Sequence, residues 1–306
     1  IYMKKKNNCL IIGLGQIGLL YDFNLKTKSS QSHISSIKRS SFFSLYGIVD
    51  NNKKIRKICK TNYNTKTFNN LDEVDCKKFD LIIVSTPTHT HYEIIKKILT
   101  KFSAKVILAE KPFTMNLIHA KKLNQLAVRK RINIFVNYSR ITDISSEILK
   151  KKIDKAPYSI CKIFYSKSIL NNGSHFVNLL QFFFGKVTKL ETSTNKIENF
   201  VLKFKKAIAI FKKKDSIRTN NLLIENKKFS IDYRLTSNKI FLISKTQRKS
   251  ISSYNKDLNF FVIKNLENFL KKKKYRLCSL KQALETHKIL QLIKKVINME
   301  YEKKKL

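Results

Sequence analysis

The sequence predicts an α/β domain with a parallel sheet, followed by an α+β domain with a mostly antiparallel, open sheet. Short apolar runs alternate with helical patterns as far as residue 138, and such uniformly apolar strands are typical of a parallel sheet covered on both faces. The pattern changes after residue 140, and from residue 187 to about 245 short strand-like runs follow one another between turns that contain Asn and Ser. We therefore expect a first domain over residues 1–138 and a second over residues 139–306.

In the first domain the strands are predicted from apolar runs that end in polar or glycine residues. These runs cover residues 8–14, 44–50, 79–85, 105–109 and 132–136. A helix between the third and fourth strands carries Ile94, Ile95, Ile98 and Leu99 on one face. Another helix follows the fourth strand, and we expect Thr114 to be its N-cap.

The second domain opens with a predicted helix over residues 174–184, which Gly185 is expected to terminate. Strand-like pieces follow at residues 207–211, 222–225, 229–234 and 240–243. A last helix is predicted over residues 279–298, because Ser279 and Gln282 have the spacing of a capping box. This helix is a candidate for packing back on the first domain.

The net charge of +42 is the most extreme feature of the composition, and it makes nucleic-acid binding one interpretation. Only nine of the 63 basic residues are arginines, whereas base and phosphate recognition favours the arginine fork. The lysines are spread along the chain without a zinc-finger or helix-turn-helix pattern. We expect no specific nucleic-acid partner. The rival interpretation predicts binding that collapses with salt and needs neither Gly15 nor Lys111.

The five cysteines are dispersed and include no Cys-x-x-Cys pair, which argues against a disulfide framework or a structural zinc site. Reduced thiols of this kind indicate a cytoplasmic protein. The lysines at 4–6 and the apolar stretch after them resemble a signal peptide, but no cleavage site follows. No apolar run reaches the ~18–20 residues that cross a membrane, so we expect no membrane partner.

The first strand ends in a glycine motif, Gly13-Leu-Gly15-Gln-Ile-Gly18. The first glycine permits a tight turn, the second lets the backbone approach a pyrophosphate, and the third permits close packing of helix on strand. Asp50 ends the second strand, where a carboxylate accepts hydrogen bonds from an adenosine ribose. The first domain is therefore predicted to be a dinucleotide-binding Rossmann domain. An insertion at residues 24–31 explains why Asp50 lies further from Gly18 than the usual ~20 residues.

Two further motifs follow the third and fourth strands. Ser85-Thr86-Pro87 begins a polar turn that includes His89 and His91, and taken alone it could be an ordinary helix-capping turn. The two histidines have no third ligand nearby, so we expect no metal site. Glu110-Lys111-Pro112 follows the fourth strand and taken alone could be a simple loop.

In combination these motifs resemble the Gfo/Idh/MocA oxidoreductase family, which includes glucose–fructose oxidoreductase and inositol dehydrogenase. The resemblance extends over nearly the whole chain. It rests on four motifs, in order and at family-like spacing: Gly13-Leu-Gly-Gln-Ile-Gly18, Ser85-Thr-Pro87, Glu110-Lys-Pro112 and Gly173-Ser-His175.

The resemblance implies catalytic roles for Lys111 and His175. The family's Glu-Lys-Pro lysine stands beside the nicotinamide and the substrate, where its charge lowers the pKa of a reacting hydroxyl or stabilises an oxyanion. His175 matches the family's catalytic histidine, which donates or accepts the proton of that oxygen. A packed or helix-capping histidine is the alternative for His175. The candidate sugar contacts are Tyr138, Arg140, Asn171 and Asn178.

Two positions depart from the family pattern. Many members carry aspartates where this chain has Asn171 and Asn178. An asparagine can orient a histidine or bind a hydroxyl, but it cannot relay a proton. A dinucleotide-binding regulator of the same fold, without turnover, is therefore the alternative function.

The resemblance also implies the cofactor contacts and the substrate class. NAD is favoured because Asp50 repels a 2′-phosphate, while Lys53, Lys54 and Arg56 leave NADP open. Tyr21, Asp22 and His33, together with Asn137, are similar to the residues of one subset of the family. Members of this subset are associated with bacterial surface-polysaccharide sugar pathways. The implied activity is an NAD(P)-dependent oxidoreductase that moves a hydride between nicotinamide and a hydroxyl or carbonyl of a sugar or nucleotide sugar, at a site between the domains. A homodimer or homotetramer is implied as well. The expected cofactor-binding residues are Gly13, Gly15, Gln16, Ile17, Gly18, Asp50, Ser85, Thr86, Pro87, His91, Glu110 and Lys111.

Overall fold

The computed structural model describes residues 6–23, 30–192, 198–214, 220–235, 237, 239–244, 246–252 and 257–303. The described residues fall into two compact units. The first comprises those of Ile1–Thr142 and Lys256–Leu284, and the second those of Asp143–Asn255 and Glu285–Leu306. Each unit is built around one sheet.

The sheet of the first unit has seven strands in the order β15-β6-β5-β4-β1-β2-β3. Neighbouring strands are parallel except for the short β15, which pairs antiparallel with β6. The predicted parallel α/β domain is therefore confirmed. The strands are β1 (Asn7–Ile12), β2 (Phe43–Val49), β3 (Lys66–Phe68), β4 (Lys78–Val84), β5 (Ser103–Ala109), β6 (Asn133–Val136) and β15 (Cys278–Ser279).

Helices cover this sheet and complete its core. The side chains of Cys9–Ile12 in β1 and of residues 81–84 in β4 are buried. Val262, Ile263 and Leu266 of α8 (Leu258–Leu270) pack into the same cluster. The helices of this unit are α1 (Tyr21–Phe23), α2 (His33–Arg39), α3 (Lys53–Tyr63), α4 (His91–Lys101), α5 (Leu117–Arg129) and α8 (Leu258–Leu270).

Two predicted helix starts have different outcomes. The expectation that Thr114 caps α5 is wrong: the cap is Asn116, whose Oδ1 accepts a hydrogen bond of 2.9 Å from the His119 N–H. The Thr114 hydroxyl instead donates to the Asn116 carbonyl. The capping box of the last helix, α9 (Leu280–Lys303), is confirmed. Ser279 Oγ accepts from the Gln282 N–H, and Gln282 Oε1 accepts from the Ser279 N–H.

The second unit has an eight-stranded sheet in the order β14-β13-β12-β11-β7-β10-β9-β8. All neighbouring pairs are antiparallel except β7 with β10, so the mostly antiparallel prediction is confirmed. The strands are β7 (Ser159–Tyr165), β8 (Val187–Thr192), β9 (Phe200–Phe204), β10 (Ala207–Lys213), β11 (Asn221–Glu225), β12 (Ser230–Arg234), β13 (Lys239–Ile243) and β14 (Arg248–Ser252).

Two further helices, α6 (Ile144–Asp154) and α7 (Ser174–Phe184), belong to the second unit. Gly185 ends α7 as predicted, with a φ of 81° that favours glycine. A π-helical turn, Ile169–Gly173, leads directly into α7. No described helix of the chain is long and apolar enough to span a membrane.

Candidate functional site

The glycine motif forms the turn between β1 and a π-helical turn, Gln16–Leu20. Gly13 has a φ of 85°, and a Cβ built on it would lie 2.7 Å from the backbone nitrogen of Thr86. A Cβ on Gly18 would lie 2.5 Å from the Gly13 carbonyl oxygen. Side chains are therefore excluded at both positions by the protein's own backbone.

Gly15 differs from the other two glycines of the motif. It is exposed, and a Cβ built on it would meet no protein atom within 4 Å. Gln16 is also exposed and Ile17 half-buried, at the N-terminal end of the π-helical turn. The N–H groups of a first helical turn have no intrahelical partners and attract anions. This open backbone fits the pyrophosphate of a dinucleotide, which could lie against Gly15.

Ser85 joins the glycine turn to the end of β4. Its hydroxyl donates to the Gly13 carbonyl oxygen over 2.6 Å, and its N–H donates to the Ile12 carbonyl over 2.8 Å. Ser85 is buried, whereas Thr86 is half-buried and Pro87 exposed. Ser85 therefore fixes the turn, while the two residues after it remain accessible to a ligand.

His91 is completely buried at the start of α4. Its Nε2 lies 2.8 Å from the Thr86 carbonyl oxygen and its Nδ1 lies 3.1 Å from the Phe113 carbonyl oxygen. The ring thus connects the turn after β4 with the segment after β5. His91 is predicted to contact the cofactor, and its described contacts are with these two backbone segments.

Asp50 follows β2 and is anchored through both carboxylate oxygens. Oδ2 accepts from the Leu14 N–H and Oδ1 from the Asn52 N–H, each over 2.8 Å. The guanidinium of Arg56 donates to the Asp50 carbonyl and to Asn69 Oδ1. The carboxylate is half-exposed next to the glycine turn, which is where a ribose-binding acid is needed.

Glu110 follows β5 and is a largely buried carboxylate. His33 Nε2 donates to its Oε1 over 2.8 Å, and Asn137 Nδ2 donates to the same oxygen over 2.6 Å. Burial raises the pKa of Glu110, but the hydrogen bond and charge of His33, the Asn137 amide and the charge of Lys111 outweigh it. The pKa of Glu110 is therefore below its ordinary value, and the group is ionised at neutral pH.

Lys111 comes directly after this carboxylate, and its own N–H donates to Glu110 Oε2 over 3.4 Å. The side chain is half-buried. Its position after β5 places it at the carboxyl edge of the parallel sheet, where ligands of such folds bind. Of the predicted sugar contacts in this unit, Tyr138 is buried after β6, and Arg140 is half-buried in the following turn.

In the second unit the predicted residues lie on the π-helical turn and α7. Asn171 is exposed and His175 half-buried. Asn178, by contrast, is buried and its Nδ2 donates to Thr286 Oγ1 over 3.0 Å; that hydroxyl in turn donates to Gln181 Oε1. The described contact of Asn178 therefore joins α7 to α9.

The turn that carries Asn171 is held by a polar group that sequence reasoning missed. Asn172 Nδ2 donates to Ser166 Oγ over 3.0 Å, and Asn220 exchanges hydrogen bonds with the same serine. His33 was noted only as part of the family resemblance, and neither His33 nor Asn259 was predicted as a site residue. His33 pairs with Glu110 and Asn259 with Asn137, over more than 70 residues, for which a single sequence gives no signal.

Comparisons with known proteins agree with this geometry. Residues 7–138 match the GFO_IDH_MocA model, described as an oxidoreductase family with a NAD-binding Rossmann fold. An uncharacterized oxidoreductase of Schizosaccharomyces pombe is 35% identical over 92 residues, which are 30% of this chain and 24% of that protein. The chain spans only 21% and 24% of the lengths of the curated relatives it matches.

Solved structures share the fold over almost the whole chain. The UDP-N-acetylglucosamine 3-dehydrogenase GnnA of Acidithiobacillus ferrooxidans has a TM-score of 0.76 at 14% identity, over 95% of this chain and 97% of that one. The dehydrogenase MviM of Clostridium difficile has a TM-score of 0.76 at 18% identity, over 96% and 100%. Residues 7–138 thus match the NAD-binding Rossmann fold of the Gfo/Idh/MocA oxidoreductase family.

Proposed function

We propose that the protein is a NAD-dependent oxidoreductase that transfers a hydride between nicotinamide and a sugar or nucleotide-sugar hydroxyl or carbonyl. The observation that carries this proposal is the open backbone at Gly15, bounded by the anchored carboxylate of Asp50. A bound nicotinamide dinucleotide supplies the hydride acceptor or donor. The glycine turn and Asp50 hold the dinucleotide, as the family of residues 7–138 implies.

The protein's own groups provide the acid–base chemistry. Lys111 places a positive charge near the reacting oxygen, which favours the alkoxide form of a hydroxyl or the polarised form of a carbonyl. His175 accepts the hydroxyl proton during oxidation and returns it during reduction. Asn171, exposed on the π-helical turn before α7, binds a sugar hydroxyl through its amide. Asn178 supports α7 from within the unit.

NAD is the preferred cofactor in this proposal. The Asp50 carboxylate lies where a 2′-phosphate would approach, and two like charges there oppose NADP binding. Arg56 Nη1 donates to the Asp50 carbonyl and to Asn69 Oδ1, which hold that side of the guanidinium against the protein. The exposed Lys53 and Lys54 are the remaining cations nearby.

The substrate class is supported by two observations. The net charge of +42 attracts anionic molecules, and nucleotide sugars carry a diphosphate. A solved structure of similar fold bears the name UDP-N-acetylglucosamine 3-dehydrogenase.

We also propose that the protein forms a homodimer or homotetramer through the open sheet of the second unit. An apolar side chain is available on this sheet, since Ile160 on β7 is 45% exposed.

Turnover tests this proposal. Purified protein is incubated with NAD⁺ or NADH and a panel of free sugars, nucleotide sugars and the corresponding keto-sugars, and absorbance at the nicotinamide band is followed. We expect sugar-dependent change that Lys111→Ala and His175→Ala each reduce by roughly 10²–10⁴-fold. Dinucleotide binding with no turnover on any member of the panel would instead favour the non-catalytic regulator.

A further inference from the structure

A buried polar network surrounds Glu110 in the first unit. Its central pair is the side chain of His33, which is completely buried, and the Glu110 carboxylate, whose side chain is 12% exposed. The remaining members are Asn137, at the end of β6, and Asn259, in α8. The network therefore connects α2, β5, β6 and α8 at the carboxyl edge of the sheet.

The orientation of the Asn137 amide is fixed by its partners. Nδ2 donates both to Glu110 Oε1 and to Asn259 Oδ1, so a flipped amide would direct its oxygen at two acceptors. Asn259 Nδ2 donates in turn to the Gln31 carbonyl, just before α2. The network thus contacts the segment around His33 twice, through Glu110 at one end and through Asn259 at the other.

The single polar contact of His33 among the described residues is with Glu110. Its Nδ1 is buried and has no hydrogen-bond partner in the described part of the chain. Burying a polar ring with one nitrogen unsatisfied is unfavourable compared with an apolar side chain of similar size. Packing alone therefore does not account for a histidine here, whereas the need for a hydrogen-bond donor to a buried carboxylate does.

The start of α2 is anchored without His33. Asp22 Oδ2 accepts from the N–H groups of Gln31 and Ser32 and from the Ser35 hydroxyl, and Asp257 Oδ1 accepts from the Ser30 N–H. A change confined to the His33 side chain consequently leaves these anchors in place. Its main effect falls on Glu110, which would keep a buried charge with one fewer donor.

Lys111 follows Glu110 directly in the chain. A carboxylate that loses its buried partner either takes up a proton or turns toward water. Either change weakens the hydrogen bond that Glu110 Oε2 accepts from the Lys111 N–H. We propose that His33 is a positioning residue that holds Lys111 in place by donating a hydrogen bond to the Glu110 carboxylate. This inference rests on the proposed function, because it assigns His33 to the dinucleotide site.

The experiment compares NADH binding by His33→Leu and His33→Gln with the wild type, followed by nicotinamide fluorescence between pH 5 and 8. Leucine removes the donor, whereas the glutamine amide can place an N–H near the position of Nε2. We expect His33→Leu to weaken NADH binding roughly 10-fold or more, a size typical of supporting hydrogen bonds. We expect His33→Gln to recover most of the affinity.

The pH dependence of NADH affinity distinguishes the loss of a hydrogen bond to Glu110 from a packing defect, which would not change that dependence. The titratable groups facing Glu110 are His33 from α2 and Lys111, while Asn137 from β6 and Asn259 from α8 are neutral amides. Without His33 the carboxyl group protonates at a higher pH. The loss of NADH affinity on acidification should therefore begin at a higher pH in His33→Leu than in the wild type.

Controls separate the possible failures. His119→Leu removes a histidine whose ring stacks on Tyr92 and makes no described contact with Glu110, and it should bind NADH like the wild type. Equal affinities and pH profiles for His33→Leu and the wild type, both folded by circular dichroism, would overturn the inference alone. Equal weakening in both His33 variants would also overturn it. A folded, cofactor-free wild type that binds no NADH would remove the proposed function and this inference with it.

Discussion

At the scale of single residues, the three glycines of the turn after β1 serve different needs. A side chain at Gly13 or Gly18 would collide with backbone atoms, whereas one at Gly15 would meet no protein atom. The sequence motif predicted this distinction, with Gly13 and Gly18 needed by the fold and Gly15 by a ligand. The clashes at Gly13 and Gly18 and the open space at Gly15 agree with it.

Gly13→Ala and Gly15→Ala form a matched pair for testing it. We expect Gly13→Ala to lower the free energy of unfolding by at least about 1–3 kcal/mol, because an alanine there adopts a left-handed conformation and clashes with Thr86. The free energy of unfolding of Gly15→Ala should lie within ~0.5 kcal/mol of the wild-type value, as is usual for surface substitutions. Urea titrations followed by circular dichroism measure both. Equal destabilisation by the two changes would contradict the assignment.

Asp50 is the residue expected to select the cofactor. Asp50→Asn keeps an acceptor oxygen but removes the negative charge that opposes a 2′-phosphate. We expect the preference for NADH over NADPH to fall about 10-fold or more, which corresponds to about 1.4 kcal/mol. Fluorescence titrations with both nucleotides check this, and Asp72→Asn, an exposed carboxylate next to lysines of α4, is the control. An unchanged ratio would show that Asp50 does not set the preference.

At the scale of elements, apolar runs predicted β1, β2, β4, β5 and β6 to within two residues at each end, because buried parallel strands have a strong signal of their own. β3 and β7 have no such run and were not predicted. β3 has three residues at the sheet edge, and β7 alternates buried and half-exposed side chains over Ser159–Tyr165. The residues of the candidate site were predictable where a local motif carries them, as in Gly13–Gly18. The contact of Ser85 with Gly13 joins distant parts of the chain and was not predicted.

The buried hydroxyl of Thr286 joins α7 and α9. It accepts from Asn178 and donates to Gln181, so a valine would leave both amides without this partner. We expect Thr286→Val to lower the unfolding free energy by about 1–3 kcal/mol. Thr100→Val, on an exposed position of α4, should change it far less. If the free energy of unfolding of Thr286→Val equals that of the wild type, these hydrogen bonds do not stabilise the contact between α7 and α9.

At the scale of the whole molecule, stability should depend on pH through buried groups. Burial lowers the pKa of His287 below its ordinary value of 6.5, so the unfolded chain takes up a proton at a higher pH than the folded chain does. The contribution of His287 to the free energy of unfolding is therefore complete above pH 6.5. It is lost as the pH falls through the pKa of His287 in the folded chain. Glu110 adds a similar loss below its ordinary pKa of 4.5.

Urea midpoints measured from pH 7.5 to 5 test the histidine part of this account. The wild type should lose stability on acidification, and His287→Gln should lose less over the same range. His89→Gln, at an exposed position, should follow the wild type. Identical pH dependence in the wild type and His287→Gln would mean that another group is responsible.

The central claim is that the first unit binds a nicotinamide dinucleotide at the open glycine turn. Fluorescence titration of the purified, cofactor-free protein with NADH and NADPH tests it most directly, with Gly15→Ala in parallel. The account predicts saturable NADH binding, tighter than NADPH binding and weakened in the variant. A folded wild-type protein that binds neither nucleotide would contradict it.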